Sequence, residues 1–491
     1  MPDKPRSEYP HQWRNCALLI VAHGSTENPD SSTPTHLLVD DLRREEIFNE
    51  VHAAFWKEDA SMREVMAMIE ADTVFVVPMF ISEGYFTTEV IPRELGLKSG
   101  QKVSRSEGKT IIYTRPSGVH PSMSDLLLKR AYEVAGDTDL SQSSLLVVGH
   151  GTALNKQSRA AVVDRVNEIK KSDSRFAEVM DTYMEEEPLI SDWDQLASQS
   201  NVIVVPFFIA DGLHSYQDIP VLLGMESEPT AAASQREIFR HNPHHLRGKT
   251  LFYSSAIGTD PSMRDVILDL VTDAADGVTL PDTAPRTKNL PFLEACLEDG
   301  SLNLGQLLIE RTADSFTLRH VDDKGANEST LERETDPAAA RRIALYDEQQ
   351  EYRPLRTSPD LRTGWLMELN NLSDLLLALD YFYPAAVGLA RQYQLDSLKV
   401  CHFRDKLGRQ TGMYRSARTI TDVGANQLIE KCCNSASGCL KQPLWQLTEN
   451  KPTTLDAEAP TQPLDLICQE PCNILVSEAR KAAKREVIRI E

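Results

Sequence analysis

Short apolar runs recur along the first 276 residues, and each leads through a turn into a stretch of mixed polarity. Between two of them, Val162, Val166 and Ile169 recur at i, i+4 and i+7, which predicts the buried face of a helix. Strands alternating with helices predict βαβ units and a parallel sheet covered on both faces. The six runs that predict strands are Leu18–Val21, Val74–Val77, Ile111–Tyr113, Leu145–Val148, Val202–Val205 and Leu251–Tyr253.

Half of these runs repeat the other half in the same order. LLIVAHGS at Leu18–Ser25 returns as LLVVGHGT at Leu145–Thr152. The second and third pairs are Thr73–Pro92 with Asn201–Pro220 and Lys109–Met123 with Lys249–Met263. Three ordered matches indicate a duplication, so we predict two similar α/β domains at residues 14–136 and 142–276.

The pattern changes after a linker predicted at Asp276–Lys288. Gly305–His320 predicts two strands around a turn at Ala313–Ser315, and helices are predicted at Pro337–Tyr346 and Leu372–Tyr383. We therefore expect a small α+β domain at residues 289–395. The last region, residues 396–491, shows little regularity and is predicted to fold around a metal centre.

The net charge and the hydropathy of the chain indicate which classes of partner are disfavoured. The 491-residue chain carries a formal net charge of -21, which disfavours attraction to nucleic acid or anionic lipid. No apolar run reaches the roughly 18 residues of a membrane span, and the first residues lack the apolar core of a secretory signal. We predict a cytoplasmic protein with neither a nucleic acid nor a membrane partner.

Three histidines follow predicted strands directly. His23 and His150 come after the first strand of each copy, and His214 lies in the loop after Val202–Val205, where the first copy has Phe86. In an open parallel sheet these loops share one rim, where ligands bind. Imidazole binds divalent metals and accepts protons near pH 7. A metal site is one interpretation, and ordinary capping or hydrogen bonding is the other.

The pairing of [IV]-x-H-G-[ST] with VVPFF-x-A-x-G-x-H-x-x-x-D-I-P resembles the class II chelatases, the sirohydrochlorin cobalto- and ferrochelatases. That resemblance implies two flavodoxin-like (chelatase-like) halves facing a cleft, and metal insertion into a tetrapyrrole without ATP. It also implies that His150 and His214 bind the metal.

Metal insertion must strip water from the ion and remove two pyrrole protons, which two imidazoles could manage as metal site and base. The tetrapyrrole implied by the resemblance carries eight carboxylates. Lys156, Arg159 and Arg165, near the start of the helix after His150, are candidates to offset them. A solvated helix face is the alternative.

The first copy lacks the second histidine, because Phe86 stands in its place. We expect its site to be inactive or supporting, retained as a wall of the cleft. In the alternative, His23 works with Glu83 or Glu89, a carboxylate replacing the imidazole.

The cysteines crowd into the C-terminal region. Four of them form C-x5-C and C-x3-C pairs, which suits one thiolate per iron of a [4Fe–4S] cluster: Cys433, Cys439, Cys468 and Cys472. The spacing resembles the cluster motif of sirohaem-dependent sulfite and nitrite reductases. A structural zinc is the less favoured reading, and Cys432 or Cys401 could replace one ligand.

The predicted function is insertion of Co²⁺ or Fe²⁺, with Ni²⁺ also accepted by imidazole pairs, into sirohydrochlorin or a related tetrapyrrole. The chain resembles the chelatases in which two repeats precede a cluster-bearing extension, and the cluster is expected to be regulatory or structural. A non-catalytic metal or tetrapyrrole carrier and a redox enzyme acting on a bound tetrapyrrole are the alternatives. Since two fused halves complete a cleft, a monomer suffices, and a homo-oligomer is compatible with this reading.

Overall fold

A computed structural model describes most of the chain, in two compact units. The described residues are 9–25, 28–98, 100–151, 156–172, 175–228, 236–239, 241–313, 315–346, 361–398, 401–408, 410, 412–433, 465–466 and 471–490. One unit comprises Met1–Trp56 and Ala71–Pro285, and the other comprises Lys57–Glu70 and Arg286–Glu491.

The first repeat is a five-stranded sheet in the order β2-β1-β3-β5-β4. Its strands are parallel except β4, which pairs antiparallel with β5. Its elements are β1 Ala17–Ala22, α1 Thr33–Arg44, β2 Glu50–Phe55, β3 Thr73–Pro78, α2 Ile91–Glu94, β4 Val103–Ser106, β5 Lys109–Tyr113 and α3 Met123–Ala135.

The second repeat has the same topology, β7-β6-β8-β10-β9, with β9 antiparallel to β10. Its elements are β6 Ser143–Gly149, α4 Lys156–Ser172, β7 Glu178–Tyr183, α5 Trp193–Leu196, β8 Asn201–Pro206, α6 Ile219–Leu223, β9 His244–Leu246, β10 Lys249–Tyr253 and α7 Met263–Ala275.

The six predicted strands are present, and the α/β duplication is confirmed. The predicted parallel sheet is confirmed in each repeat, and the structure adds one antiparallel strand at its edge, β4 in the first repeat and β9 in the second. The sequence did not predict β2 and β7, because polar residues such as His52 and Asp181 interrupt their apolar runs.

The last helix of each repeat covers the sheet of the other. Helix α3 contacts β8 and β10, and α7 contacts β3 and β5. One continuous apolar core therefore spans both repeats, from Leu18 in β1 to Val271 in α7. Each sheet is buried because its partner supplies one of its helical layers.

Polar contacts reinforce this exchange. Lys129 of α3 forms a 2.8 Å ion pair with Asp260, whose side chain is buried. Arg165 of α4 donates a 2.7 Å hydrogen bond to the carbonyl of His120 in the first repeat and pairs with Glu168.

The second unit begins with a mixed sheet in the order β11-β12-β13-β15-β14. The predicted hairpin is confirmed, since β12 and β13 pair antiparallel around Thr312 and Ser315. The elements of this part are α8 Asn289–Cys296, β11 Ser301–Leu304, β12 Leu307–Arg311, β13 Phe316–His320, β14 Glu332–Glu334, α9 Ala339–Ala344, β15 Trp365–Leu369, α10 Leu372–Phe382 and α11 Ala386–Gln394.

The C-terminal part is largely helical where the structure describes it, so the expected irregularity was wrong there. A small apolar core joins its helices around Phe403, Leu428 and Leu475. Its elements are β16 Cys401–His402, α12 Phe403–Gly408, α13 Asp422–Cys433, β17 Asp465–Leu466 and α14 Asn473–Ile490.

The connection between β2 and β3 leaves the first repeat and joins the second unit. Glu70 accepts hydrogen bonds from the backbone N–H groups of Lys288 and Asn289 at the start of α8. Asn289 in turn bonds the carbonyl of Ala67 and the guanidinium of Arg391. This segment is thus part of the second unit.

Among the described helices, none by itself has the length and apolar composition of a membrane span. Helices α10 and α11 meet that test only as a bent pair, and both pack in the core of the second unit.

Candidate functional site

The structure brings His150 and His214 together. His150 directly follows β6, and His214 begins a π-helical turn, His214–Asp218, after β8. Their ring centroids lie 4.9 Å apart with the planes nearly perpendicular at 79°. The side chains are 34% and 45% exposed, so both can meet a ligand from solvent.

Hydrogen bonds orient the two rings. Nδ1 of His150 lies 2.9 Å from the carbonyl oxygen of Gly151, and Nδ1 of His214 lies 2.6 Å from a carboxylate oxygen of Asp218. Both partners are acceptors, which places the proton on Nδ1 of each ring. The lone pair is then on Nε2, the arrangement that metal-binding histidines usually adopt.

A carboxylate stands beside His150. Glu185 lies with Oε2 3.7 Å from Nδ1 of His150, and its backbone N–H bonds the carbonyl of His150 at 3.1 Å. Arg159 secures the same segment, because it donates to the carbonyl of Glu187 at 2.7 Å and pairs with Glu186 at 3.5 Å. Its guanidinium also covers the ring of Tyr183.

Backbone contacts fix the loop that carries His214. Gly258 donates to the carbonyl of Phe208 at 3.0 Å, and a Cβ on Gly258 would lie 1.9 Å from the carbonyl oxygen of Ile209. The hydroxyl of Tyr253 donates to the carbonyl of Ser215 at 2.9 Å. Only glycine therefore permits the close approach that holds this loop.

The first repeat keeps the same frame with different side chains. The ring of Phe86 lies 5.1 Å from the ring of His23, and Nδ1 of His23 contacts the carbonyl of Gly24. Phe86 also stacks on Phe80. The position matching Asp218 is Val90, which is buried. The first repeat has thus lost both the second imidazole and its carboxylate.

Loops of the two repeats meet beside the histidine pair. A Cβ on Gly212, two residues before His214, would lie 3.0 Å from the hydroxyl of Ser31 in the first repeat. The rim that bears His214 therefore faces the loop that follows His23.

The other predicted site residues lie in different surroundings. Glu83 pairs with Arg115 at 3.0 Å, and Glu89 is exposed. Lys156 starts α4, but its side chain lies outside the described residues. Arg165 was wrongly expected at the tetrapyrrole site, because its side chain is buried in the contact between the repeats.

Two of the four predicted cluster cysteines lie in one apolar cluster. Cys433 ends α13 and is buried, and Cys472 immediately precedes α14. Cys433 belongs to the core that includes Leu475, and the partly buried Cys432 and Cys472 pack against that core. Cys439, Cys468 and the side chain of Cys401 lie outside the described residues.

Two polar residues of the site, Asp218 and Glu185, were not predicted from the sequence. Asp218 lies in the motif QDIP, whose counterpart in the first repeat is EVIP, so comparing the repeats would have exposed it. Glu185 lies in an acidic run, where nothing distinguishes it from Glu186 or Glu187. Within the described part of the chain, no group of three or more His, Cys, Asp or Glu side chains is arranged to hold a metal ion.

The family model CbiX matches residues 17–134 and again residues 144–274, together about half of the chain. The chain therefore belongs to the CbiX chelatase family, which confirms the resemblance seen in its motifs. A DR2241 stabilising domain matches residues 293–394, and a 4Fe-4S iron-sulfur cluster binding domain matches residues 395–481.

Individual relatives agree. A probable sirohydrochlorin cobaltochelatase of Halobacterium salinarum is 38% identical over 274 residues, 52% of this chain and 91% of that protein. A sirohydrochlorin cobaltochelatase of Methanopyrus kandleri is 30% identical over 140 residues, 27% of this chain and 96% of its own length.

A solved structure extends the likeness to the whole chain. The crystal structure of DR2241 from Deinococcus radiodurans, described as a multi-domain protein with structural similarity to chelatases and two additional novel domains, superposes with a TM-score of 0.78. It is 25% identical and covers 96% of this chain and 100% of its own. The protein is therefore a sirohydrochlorin cobaltochelatase-like chelatase with a 4Fe-4S domain.

Proposed function

We propose that the chain inserts Co²⁺ into sirohydrochlorin, without ATP, at the pair His150 and His214. The observation that carries this proposal is the 4.9 Å approach of two rings whose Nδ1 atoms are both held by acceptors. Two imidazole ligands leave other coordination positions of the ion open, as a site that must pass on its metal requires. The cobaltochelatases among the relatives favour Co²⁺, and Fe²⁺ and Ni²⁺ are the competing substrates.

Insertion exchanges ligands and releases two protons. His150 and His214 replace water on the ion through Nε2, and the pyrrole nitrogens then replace the histidines. As the ion enters the tetrapyrrole ring, two pyrrole N–H protons leave the ring. The imidazoles released from the metal accept these protons. The carboxylate of Glu185, 3.7 Å from His150, stabilises the imidazolium that results. Solvent then removes both protons.

Arg159 has a supporting role in this scheme. Its bonds to Glu187 and Glu186 position the segment that carries Glu185, rather than leaving the guanidinium to the tetrapyrrole. Lys156 is retained as the residue of α4 proposed to bind substrate carboxylates. The first repeat, with His23 beside Phe86 in place of a second histidine, forms the opposing wall of the cleft.

Absorbance of metal-free sirohydrochlorin mixed with Co²⁺ tests the proposal. We expect His150→Ala and His214→Ala each to slow insertion by about 100-fold or more, since each removes a metal ligand and a base. His245→Ala, at an exposed histidine of the same repeat, is the matched control and should insert at the normal rate. Loss of insertion in His23→Ala with normal insertion in His214→Ala would reverse the assignment of the two repeats.

We also propose that residues 14–136 and 142–276 are the chelatase repeats, residues 289–395 a stabilising domain and residues 396–491 the cluster domain. Cys433, Cys439, Cys468 and Cys472 would hold a [4Fe–4S] cluster there. The described part fits such a group, because the buried thiol of Cys433 and the partly buried thiol of Cys472 lie at one apolar core. When bound, the cluster supplies one-electron chemistry, which metal insertion does not need, so a regulatory or structural role follows.

The visible spectrum of anaerobically purified protein tests the cluster ligands. Cys433→Ser and Cys472→Ser should lose the cluster's broad absorbance, whereas Cys296→Ser, in the same unit, should keep it. A colourless wild-type protein with one zinc per chain would refute the cluster. If Cys433→Ser stays folded but inserts metal slowly, the cluster is regulatory.

A further inference from the structure

The first repeat contains an open cavity beside the helix α7. A cavity of about 680 Å³ lies beside Tyr113 at the end of β5 and beside the loop that holds Thr87 and Thr88. Residues of α7, among them Leu270 and Ala274, close its other side. Its volume is in the range of pockets that take drug-sized ligands.

The two repeats differ in one connection close to this cavity. Only 17 positions separate Pro92 from Lys109, whereas 29 separate Pro220 from Lys249. In the second repeat, the longer connection places Phe239 5.4 Å from the ring of Tyr253 and 5.8 Å from that of Tyr216.

Those two tyrosines correspond to Tyr113 and Thr88, which line the cavity. Tyr113 and Tyr253 also make matching hydrogen bonds, to the carbonyls of Thr87 and Ser215. In the second repeat, the ring of Phe239 therefore packs against the tyrosine that corresponds to Tyr113, and a separate cavity of about 460 Å³ lies beside Phe239 and Tyr216.

The charged side chains that line the cavity favour an anionic ligand. Three cations, Lys98, Lys102 and Arg115, share it with two carboxylates, Glu83 and Asp273, which makes it locally positive in a chain of net charge -21.

Two of these cations already have partners. Lys102 is engaged by the carbonyls of Asp273 and Asp276 at the end of α7. Arg115 donates a hydrogen bond to Glu83 with one of its five N–H groups. Within the described residues, the remaining donors of Arg115 and the exposed ammonium of Lys98 are the groups that can meet a ligand.

We propose that this cavity binds a flat apolar ring carrying a carboxylate, with the ring against Leu97 and Tyr113 and the carboxylate on Arg115 and Lys98. Such a ligand is either the edge of a carboxylated tetrapyrrole or a smaller aromatic acid. The tetrapyrrole source rests on the proposed function, whereas the aromatic acid does not.

Fluorescence titration of the full-length protein with 1-pyrenebutyrate tests the site, with the uncharged 1-pyrenebutanol as its partner probe. We expect the acid to bind and the alcohol to bind about tenfold more weakly, because it lacks the charge-assisted bonds. Arg115→Gln should weaken binding of the acid about tenfold for the same reason. Leu97→Trp, which fills the cavity, should abolish binding. Arg105→Gln, an exposed arginine on the neighbouring strand β4, is the matched control and should bind normally.

Uroporphyrin I separates the two sources. Competition between uroporphyrin I and 1-pyrenebutyrate supports the tetrapyrrole, and its failure to compete supports a smaller aromatic acid. Absent binding, equal binding of acid and alcohol, or normal binding by both Arg115→Gln and Leu97→Trp overturns the proposal. His214→Ala should bind both probes normally while it fails to insert metal, so the cavity and the proposed function can fail independently.

Discussion

Asp218 holds His214 through a 2.6 Å contact to Nδ1, and the first repeat has Val90 where the second has Asp218. The loss of the imidazole at Phe86 is thus accompanied by the loss of the group that would orient it. The second repeat therefore has both the metal ligand and the carboxylate that orients it, and the first repeat has neither.

Replacing that carboxylate should weaken metal binding without removing a ligand. We expect Asp218→Asn to lower the affinity for Co²⁺ by about 10- to 100-fold, the usual effect of losing such a partner. Isothermal titration measures it, and Asp164→Asn, at an exposed carboxylate of α4, is the matched control. Unchanged affinity in Asp218→Asn would mean that the contact does not orient the ring.

Restoring both residues in the first repeat should create a second metal site. The rings of His23 and Phe86 are 5.1 Å apart, close to the 4.9 Å of the working pair. We expect Phe86→His with Val90→Asp to bind two Co²⁺ ions per chain, and Phe86→His alone to bind the second ion weakly. Equilibrium dialysis counts the ions. A stoichiometry of one for the double variant would show that more than these two positions has diverged.

Gly258 and Gly118 are equivalent glycines of the two repeats. Substituting each of them distinguishes an effect on the position of the His214 loop from an effect on stability. A Cβ on Gly118 would lie 2.1 Å from the carbonyl oxygen of Ile81, as one on Gly258 would overlap Ile209. Each Gly→Ala change should cost about 1–3 kcal/mol of unfolding free energy through overpacking. Only Gly258→Ala should also weaken Co²⁺ binding, because it displaces the loop of His214. Equal losses of Co²⁺ affinity in the two variants would contradict this.

The contact between Lys129 and Asp260 predicts a pH-dependent stability. Burial alone raises the pKa of the Asp260 carboxyl, but Lys129, Ser262 and Arg130 outweigh burial and hold that pKa below its usual value. The stabilisation is therefore complete above the unfolded pKa of about 3.9 and is lost as the pH falls through the lower folded value.

We accordingly expect Asp260→Asn to lose about 2 kcal/mol of unfolding free energy at pH 7. The difference from wild type should shrink as the pH falls below about 3.9. Urea unfolding at several pH values measures it, with Asp164→Asn as control. A difference that stays constant down to strongly acidic pH would show that Asp260 does not titrate with folding.

The sequence predicted those features that repeat or that form continuous apolar runs. The strands around Leu18 and Leu145, and the placement of His150 and His214 on one rim, follow from burial and chain order alone. The strands β2 and β7 did not, because polar residues such as His52 and Asp181 interrupt their apolar sequences.

Contacts between repeats were not predictable from either repeat alone. Arg165 looked like a cation free to bind substrate, since nothing in its surroundings in the sequence reveals the carbonyl of His120, 45 residues away. Glu185 was missed for a similar reason, because only the fold decides which member of an acidic run faces His150.

The crossing of α3 and α7 between the sheets has a consequence for how the chain can be divided. A fragment ending after α3 would expose the face of its own sheet that α7 covers and would carry a helix with no sheet to cover. Neither half should be stable as a monomer when expressed alone, whereas the two halves produced together in one cell should assemble. Each repeat therefore completes the helical covering of the other, so a chain divided between α3 and β6 needs both pieces to restore both sheets.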